Sequence, residues 1–250
     1  MNRPAFGLVV AHLIGNALLL YVGYRWLGMS ESDGPHLLAS ISALLLFVFG
    51  ALWLHGTAFA SFDRTGNGSF GSAALRTLRH LLPFFVLAVA AAVIYGLLAW
   101  WHDSFQHNAF AIGSYTTMKL RKPVSPSSIE RGFHAFIWIL RWMVVPVILL
   151  PLAAGAATNG WPGIRWRSLA RGRSVIYWLE VCALLLCAIW VPLKLVNWIP
   201  PVSSFNGQFA SLAARLGFGY LLFVAALLSL EFFTASGRPR LTQVSTASVP

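Results

Sequence analysis

A chain of 250 residues with 58% hydrophobic and only 10% charged residues is long enough to bury a soluble core but could not clothe one, because soluble domains run to about 45–50% apolar and about 25% charged. The mean hydropathy of +0.70 points the same way, so most of the surface must meet lipid. A formal net charge of +11 would suggest nucleic acid in a soluble protein; here Lys and Arg flank apolar runs, which makes them membrane-flanking anchors and leaves no nucleic-acid partner expected.

Taken in chain order, the first apolar run lies near 6–27. It follows Arg3 and ends in "YRWLG" rather than a small-residue cleavage site, so it reads as a retained span and not as a signal peptide. A second run lies near 37–60 and a third near 81–101, entered past Pro83. The segment 102–130 follows, polar and with "KLRKPVSP" at 119–126, and is expected to be an external loop. A loop of that length is unusual unless it has structure of its own. Its end reads as a capping box, with Ser127 at the cap and Glu130 three residues later, so the fourth helix should start before the membrane and project from it. The fourth run is near 131–155 with Pro146 and Pro151 inside it, the fifth near 175–198 with Pro192, and the sixth near 212–234. Such prolines remove a backbone hydrogen bond and allow kinks. Residues 235–250 are polar and aperiodic and are expected to form a disordered cytoplasmic tail.

Each run has membrane length, about 20 residues, and none alternates at period two as a barrel strand would. The fold class is therefore an all-α integral membrane protein, a six-transmembrane-helix bundle over residues 1–234. Trp26, Trp100, Trp101, Trp178 and Trp198 fall near span ends, where an indole is best placed. With the N-terminus inside, the cytoplasmic segments carry ten Lys and Arg and the outer ones six. That bias places both termini in the cytoplasm, in a bacterial-type plasma (inner) membrane. It puts Lys119, Arg121 and Lys122 outside and "GIRWRSLARGRS" inside.

"NGSFGSAALR" (67–76) before the third span resembles "NGQFASLAAR" (206–215) before the sixth. A true repeat would make a 3+3 inverted arrangement of the kind found in secondary transporters. Small residues recur every fourth position at Gly7, Ala11 and Gly15 and at Ala88, Ala92 and Gly96, faces that let helices approach closely in a bundle or a homo-oligomer. Cys182 and Cys187 are five apart in one span, which supports neither a disulfide nor a zinc pair.

Ionisable residues inside spans are costly and are the candidates for function. His12 and His55 lie at similar depth on the first two spans and could ligate a haem or a metal ion. The commoner explanation is bonding across helix interfaces, with the two rings turned to different partners, so no cofactor and no metal is expected. Glu180 and Glu231, near the inner surface, are expected to pair with arginines of 165–173 and 238–240. Arg141 has no acid at its depth and is a candidate for binding an anion or lipid headgroup, or for reaching Asp103 or Glu130. Lys194 is a weaker case of the same kind, and Lys119, Arg121 and Lys122 are expected at the outer headgroup level, drawn to anionic lipid phosphates. The sequence carries no H-E-x-x-H, no G-x-S-x-G and no P-loop. The leading expectation is a non-catalytic accessory or scaffold subunit with a protein partner. A small transporter or binding protein for an anion or lipid headgroup competes with it, a haem or quinone protein follows, and an enzyme comes last.

Overall fold

The structure, a computed structural model, describes residues 3–30, 32–63, 69–106, 108–201 and 204–236. The described residues form helices and connecting turns. Six helical stretches are long and apolar enough to cross a bilayer, and the protein is a multi-pass membrane protein. The spans are α1 (Arg3–Leu27), α2 (Gly34–Phe62) and α4 (Leu81–Gln106), then α6 (Pro126–Ile139) running through a π-helical turn into α7 (Val145–Asn159). The last two are α8 (Val175–Leu185), running through a second π-helical turn into α9 (Val191–Asn197), and α10 (Phe205–Ser236). Two further helices are shorter: α3 (Phe70–Arg79) before the third span and α5 (Ala109–Leu120) between the third and fourth. Apolar side chains such as Leu18, Leu46, Val93, Leu97 and Leu221 point outward, the pattern of helices whose solvent is lipid.

Packing is concentrated at one end, the proximal end, where α1 begins and α2 and α10 finish. Phe59, Phe84, Ala154, Ala156, Ala157 and Ala235 form a buried cluster that joins α2, α4, α7 and α10. Small residues let the backbones close there. A Cβ on Gly56 would stand 2.5 Å from Thr77 Cγ2, and one on Gly155 would stand 2.2 Å from the Gly163 carbonyl oxygen. Gly160 ends α7 with φ at +64°, a backbone shape glycine adopts without strain. Buried Thr57, Thr77 and Thr158 return their hydroxyls to carbonyls four residues back (Trp53, Ala73 and Ala154), so this end is dense and polar at once. Of the small-residue faces, Gly15 does receive a neighbour, with Leu54 Cδ2 2.8 Å from its would-be Cβ, but nothing lies within 4 Å of Gly7 or Gly96. Ala92 and Gly96 face outward, so the third-span stripe does not join helices of this bundle.

The two π-helical turns have one cause. Leu140–Val144 precedes Val145-Pro146, and Leu186–Trp190 precedes Val191-Pro192; in each, the valine N–H bonds the leucine carbonyl five residues back. A proline ring clashes with the carbonyl four residues earlier and donates no hydrogen bond, and widening the preceding turn relieves the clash. The kinks expected from Pro146 and Pro192 thus take the form of widened turns.

The segment 102–130 is largely helical. Chain α4 continues to Gln106, α5 folds back, and its Gly113 meets Pro126 of α6 closely. Thr117 holds the return through its hydroxyl, 3.0 Å from Val124 N–H. The expected cap at Ser127 moves two residues, because Pro126 stands in the first turn of α6 and Ser125 is the N-cap; proline is favoured at that first position. The polar tail after residue 236 lies outside the described residues.

No inverted repeat is shown. The described part of 67–76 belongs to α3, a separate helix that ends at His80, whereas 206–215 is continuous with α10. Span two touches spans one, three, four and six, while span five, its counterpart under such symmetry, touches four and six.

The glycine contacts predict a sharp contrast in stability. Gly155→Ala forces its Cβ into backbone, and overpacking of this kind costs about 1–3 kcal/mol or more, whereas Gly96→Ala is expected to be neutral or slightly stabilising. Thermal unfolding of the detergent-solubilised protein reads both, and equal melting temperatures for the two variants would contradict the packing described.

Candidate functional site

The described ion pairs all join a histidine to a carboxylate, and two of them share Glu231. His12 lies about two and a half turns into α1, His55 about two turns from the end of α2, and Glu231 five residues from the end of α10. These positions come together at the proximal end because the start of α1 and the ends of α2 and α10 pack against one another there.

The geometry fixes the protonation pattern. His12 Nδ1 is 3.1 Å from the Leu8 carbonyl oxygen, which can only accept, so Nδ1 carries the hydrogen and Nε2 of the neutral ring is bare. That bare nitrogen stands 3.5 Å from Glu231 Oε2. Both atoms are buried and neither has a hydrogen-bond partner. The other carboxylate oxygen, Oε1, is 2.5 Å from His55 Nδ1, a distance that requires a proton between them. His12 is wholly buried, Glu231 nearly so, and a quarter of the His55 side chain is exposed. The imidazole rings meet edge to face with centroids 5.5 Å apart. One donor atom from each residue lies within 4.8 Å of those from the others.

Neighbouring bonds lock this arrangement. Asn16 Nδ2 donates to the His12 carbonyl at 2.9 Å, and the Tyr220 hydroxyl donates to the carbonyl of Leu13, the residue after His12, tying α10 to α1. At the far end of α1, Trp26 Nε1 donates to Ser40 Oγ of α2 at 3.0 Å.

The expectation that His12 and His55 turn to different partners is not met, since both face Glu231. The tail arginines expected to pair with Glu231 lie outside the described residues; the dense proximal packing puts Glu231 among histidines. The Arg167, Arg171 and Arg173 side chains that were to meet Glu180 also fall outside the described side chains. Glu231 stands against His12 Nε2 and His55 Nδ1, so the nitrogens that the two rings turn toward each other's side meet a carboxylate and not an open haem position.

Arg141 sits in the first π-helical turn. In a regular helix its carbonyl would accept from Val145 N–H, but that group bonds Leu140, and the next residue is a proline. The Tyr95 hydroxyl on α4 supplies the missing donor, 2.8 Å from the Arg141 oxygen. The guanidinium Nε is buried without a hydrogen-bond partner, and the side chain reaches neither Asp103 nor Glu130. Lys119, Arg121 and Lys122 are exposed at the end of α5; about 22 Å of helix, at 1.5 Å per residue, separates Pro126 beside them from Arg141. Lys194 is exposed with its ammonium 5.6 Å from the Trp190 ring centroid. Arg215 has a structural task, donating to the Leu195 and Val196 carbonyls at the end of α9.

The Glu231 link was missed from sequence because its partners lie about 180 to 220 residues away in the chain, although the near-equal depth of the three residues was a usable signal. Compared with protein-family models, curated proteins and solved structures, the chain matches none.

Tyr95→Phe is expected to lower stability by about 1 kcal/mol by orphaning the Arg141 carbonyl. Thermal unfolding measures it, and restoring ordinary helix hydrogen bonding with Pro146→Ala should shrink the loss. The same loss in both backgrounds would show that the tyrosine acts otherwise.

Proposed function

We propose that this protein is a membrane-embedded binding subunit for a first-row transition-metal dication of the zinc class, held by His12, His55 and Glu231, against the sequence expectation of no metal. The observation that carries the reading is the pair of buried, unpartnered acceptors, His12 Nε2 and Glu231 Oε2, 3.5 Å apart. Two lone pairs so placed repel each other and await a cation. Zinc–nitrogen and zinc–oxygen bonds of about 2.0–2.2 Å set ligand atoms about 3.3 Å apart in a tetrahedral site, close to that spacing. Two imidazoles and a carboxylate are a donor set suited to such ions. The 2.5 Å contact between His55 and Glu231 is shorter than a ligand–ligand edge, so metal uptake would displace the proton held there.

Burial of His12 and Glu231 supports binding rather than turnover of a bulky substrate, which keeps the reading with a non-catalytic accessory protein. The surplus of Lys and Arg supports placing the termini, and with them this site, at the cytoplasmic side of a bacterial inner membrane.

Purified protein titrated with zinc should bind it in a way that Glu231→Gln or His12→Gln weakens by more than about 100-fold, a larger loss than removal of an outer-shell partner causes. Affinity should fall as the pH is lowered, because protons compete for the same lone pairs. Undiminished zinc binding in Glu231→Gln would remove the proposal.

The orientation has its own test. Single cysteines at 120 and 169, in a cysteine-free background, are exposed in intact cells to an impermeant thiol reagent. Labelling at 120 and not at 169 is expected, and the reverse would turn the protein over.

A further inference from the structure

A second histidine pair stands at the distal end of the bundle, on the last turns of α4 and near the start of α6. His102 Nε2 and His134 Nδ1 are 2.9 Å apart, with the rings nearly perpendicular at 84°. The outer nitrogen of each ring faces a carboxylate. His102 Nδ1 is 3.2 Å from Asp103 Oδ1, and His134 Nε2 is 3.6 Å from Glu130 Oε1.

An ionised carboxylate only accepts, so His102 Nδ1 carries its ring hydrogen and Nε2 is bare. A neutral His134 with its hydrogen on Nδ1 donates to that bare nitrogen, and its half-exposed Nε2 is left to water, 3.6 Å from Glu130. A cation bound by the two inner nitrogens in place of that shared hydrogen puts a hydrogen on each outer nitrogen, so that both outer N–H groups point at carboxylates. Carboxylates behind metal-bound histidines fix the tautomer and raise the basicity of the ligand, and here that relation occurs on both rings.

The rings are also held in place. Phe133 stacks on His102 with centroids 6.3 Å apart and on Phe105 at 3.7 Å, and Trp101 meets the same phenylalanine edge to face. His102 is largely buried while His134 is 45% exposed, so an ion can arrive from the water side. The 2.9 Å spacing corresponds to two bonds of about 2.05 Å at a right angle, and a tetrahedral ion needs the pair to open only to about 3.3 Å.

We infer that His102 and His134 form a second site for a first-row transition-metal dication, with Asp103 and Glu130 bracing the rings and water completing the coordination. It shares no residue with the buried site. About 27 Å of helix, at 1.5 Å per residue, separates His102 from Phe84 of the same helix, which packs beside Gly56 at the proximal end. Two imidazoles and water make a weaker site than two imidazoles and a buried carboxylate, so the distal site should fill second.

Equilibrium dialysis of the full-length, detergent-solubilised protein against zinc, with bound metal measured by elemental analysis, tests this. Wild type is expected to take up one more equivalent than the His102→Gln/His134→Gln variant. Asp103→Asn together with Glu130→Gln should weaken that increment about 10–100-fold without abolishing it. In the Glu231→Gln background the increment should persist, so that the distal and proximal readings stand or fall separately. Equal uptake by wild type and the double histidine variant overturns the inference, as does an increment indifferent to both carboxylates, which would mark two surface histidines and no built site.

Discussion

A carboxyl group inside a membrane bundle needs a cationic or hydrogen-bonding partner, and Glu231 is the residue around which the proximal end of this protein is organised. Removing an uncompensated carboxylate from water is among the most expensive steps a fold can take. The chain meets that constraint by bringing three helices that are remote in sequence to one point, with His55 directly bonded to the carboxylate and His12 beside it. The compensation is incomplete. One carboxylate oxygen and one imidazole nitrogen have no hydrogen bond, and a bundle that packs alanines and glycines this tightly around them has ample means to bury apolar groups instead. Two acceptors retained face to face are the observation on which the proposed metal site rests.

The rest of the architecture follows from keeping that point rigid. Gly56 lets α2 close on the side chains of Thr77 in α3 and Phe84 in α4, Gly155 and Gly163 bring α7 and the turn after it to backbone contact, and Thr57, Thr77 and Thr158 turn their hydroxyls to carbonyls of their own helices. Away from this end the spans separate. A cavity of about 270 Å³ opens between α4 and α7, lined by residues such as Leu87, Ala91 and Leu149. Its apolar walls lie between the proximal and distal clusters and offer an ion no ligands, so the two histidine sites are better understood as separate stations at the two faces than as ends of a conducting path.

Much of this was legible in the sequence, and the pattern of what was not is instructive. The six spans were readable because lipid imposes a length and a composition on each one independently. Proline positions foretold distortion in the fourth and fifth spans, and the structure adds the mechanism, a widened turn that frees the Arg141 carbonyl for Tyr95. Gly7 and Gly96 failed as contact points since a small residue permits close approach without directing a neighbour to it. The cap at Ser127 failed because proline at 126 is a stronger start signal than a capping box. His12 and His55 were singled out by depth alone. Their union with Glu231 depends on which faces of α1, α2 and α10 turn inward, and apolar helices without a polar face carry no periodic signal to say so.

The distal pair was passed over for a related reason. His102 opens a stretch read as loop, where histidines draw no special notice, while His134 stands on the expected projecting start of the fourth helix; the continuation of α4 to Gln106 is what places the two on facing helices. Once there, their inner nitrogens stand 2.9 Å apart and each outer nitrogen turns to a carboxylate. The two clusters differ in how far water can serve them: at the buried one His12 Nε2 and Glu231 Oε2 are shut away without a hydrogen-bond partner, whereas His134 and Glu130 are half exposed. An ion would therefore replace a missing bond at the proximal end and a shared hydrogen at the distal end, which is why the proximal pair carries the proposed function and the distal pair is secondary to it.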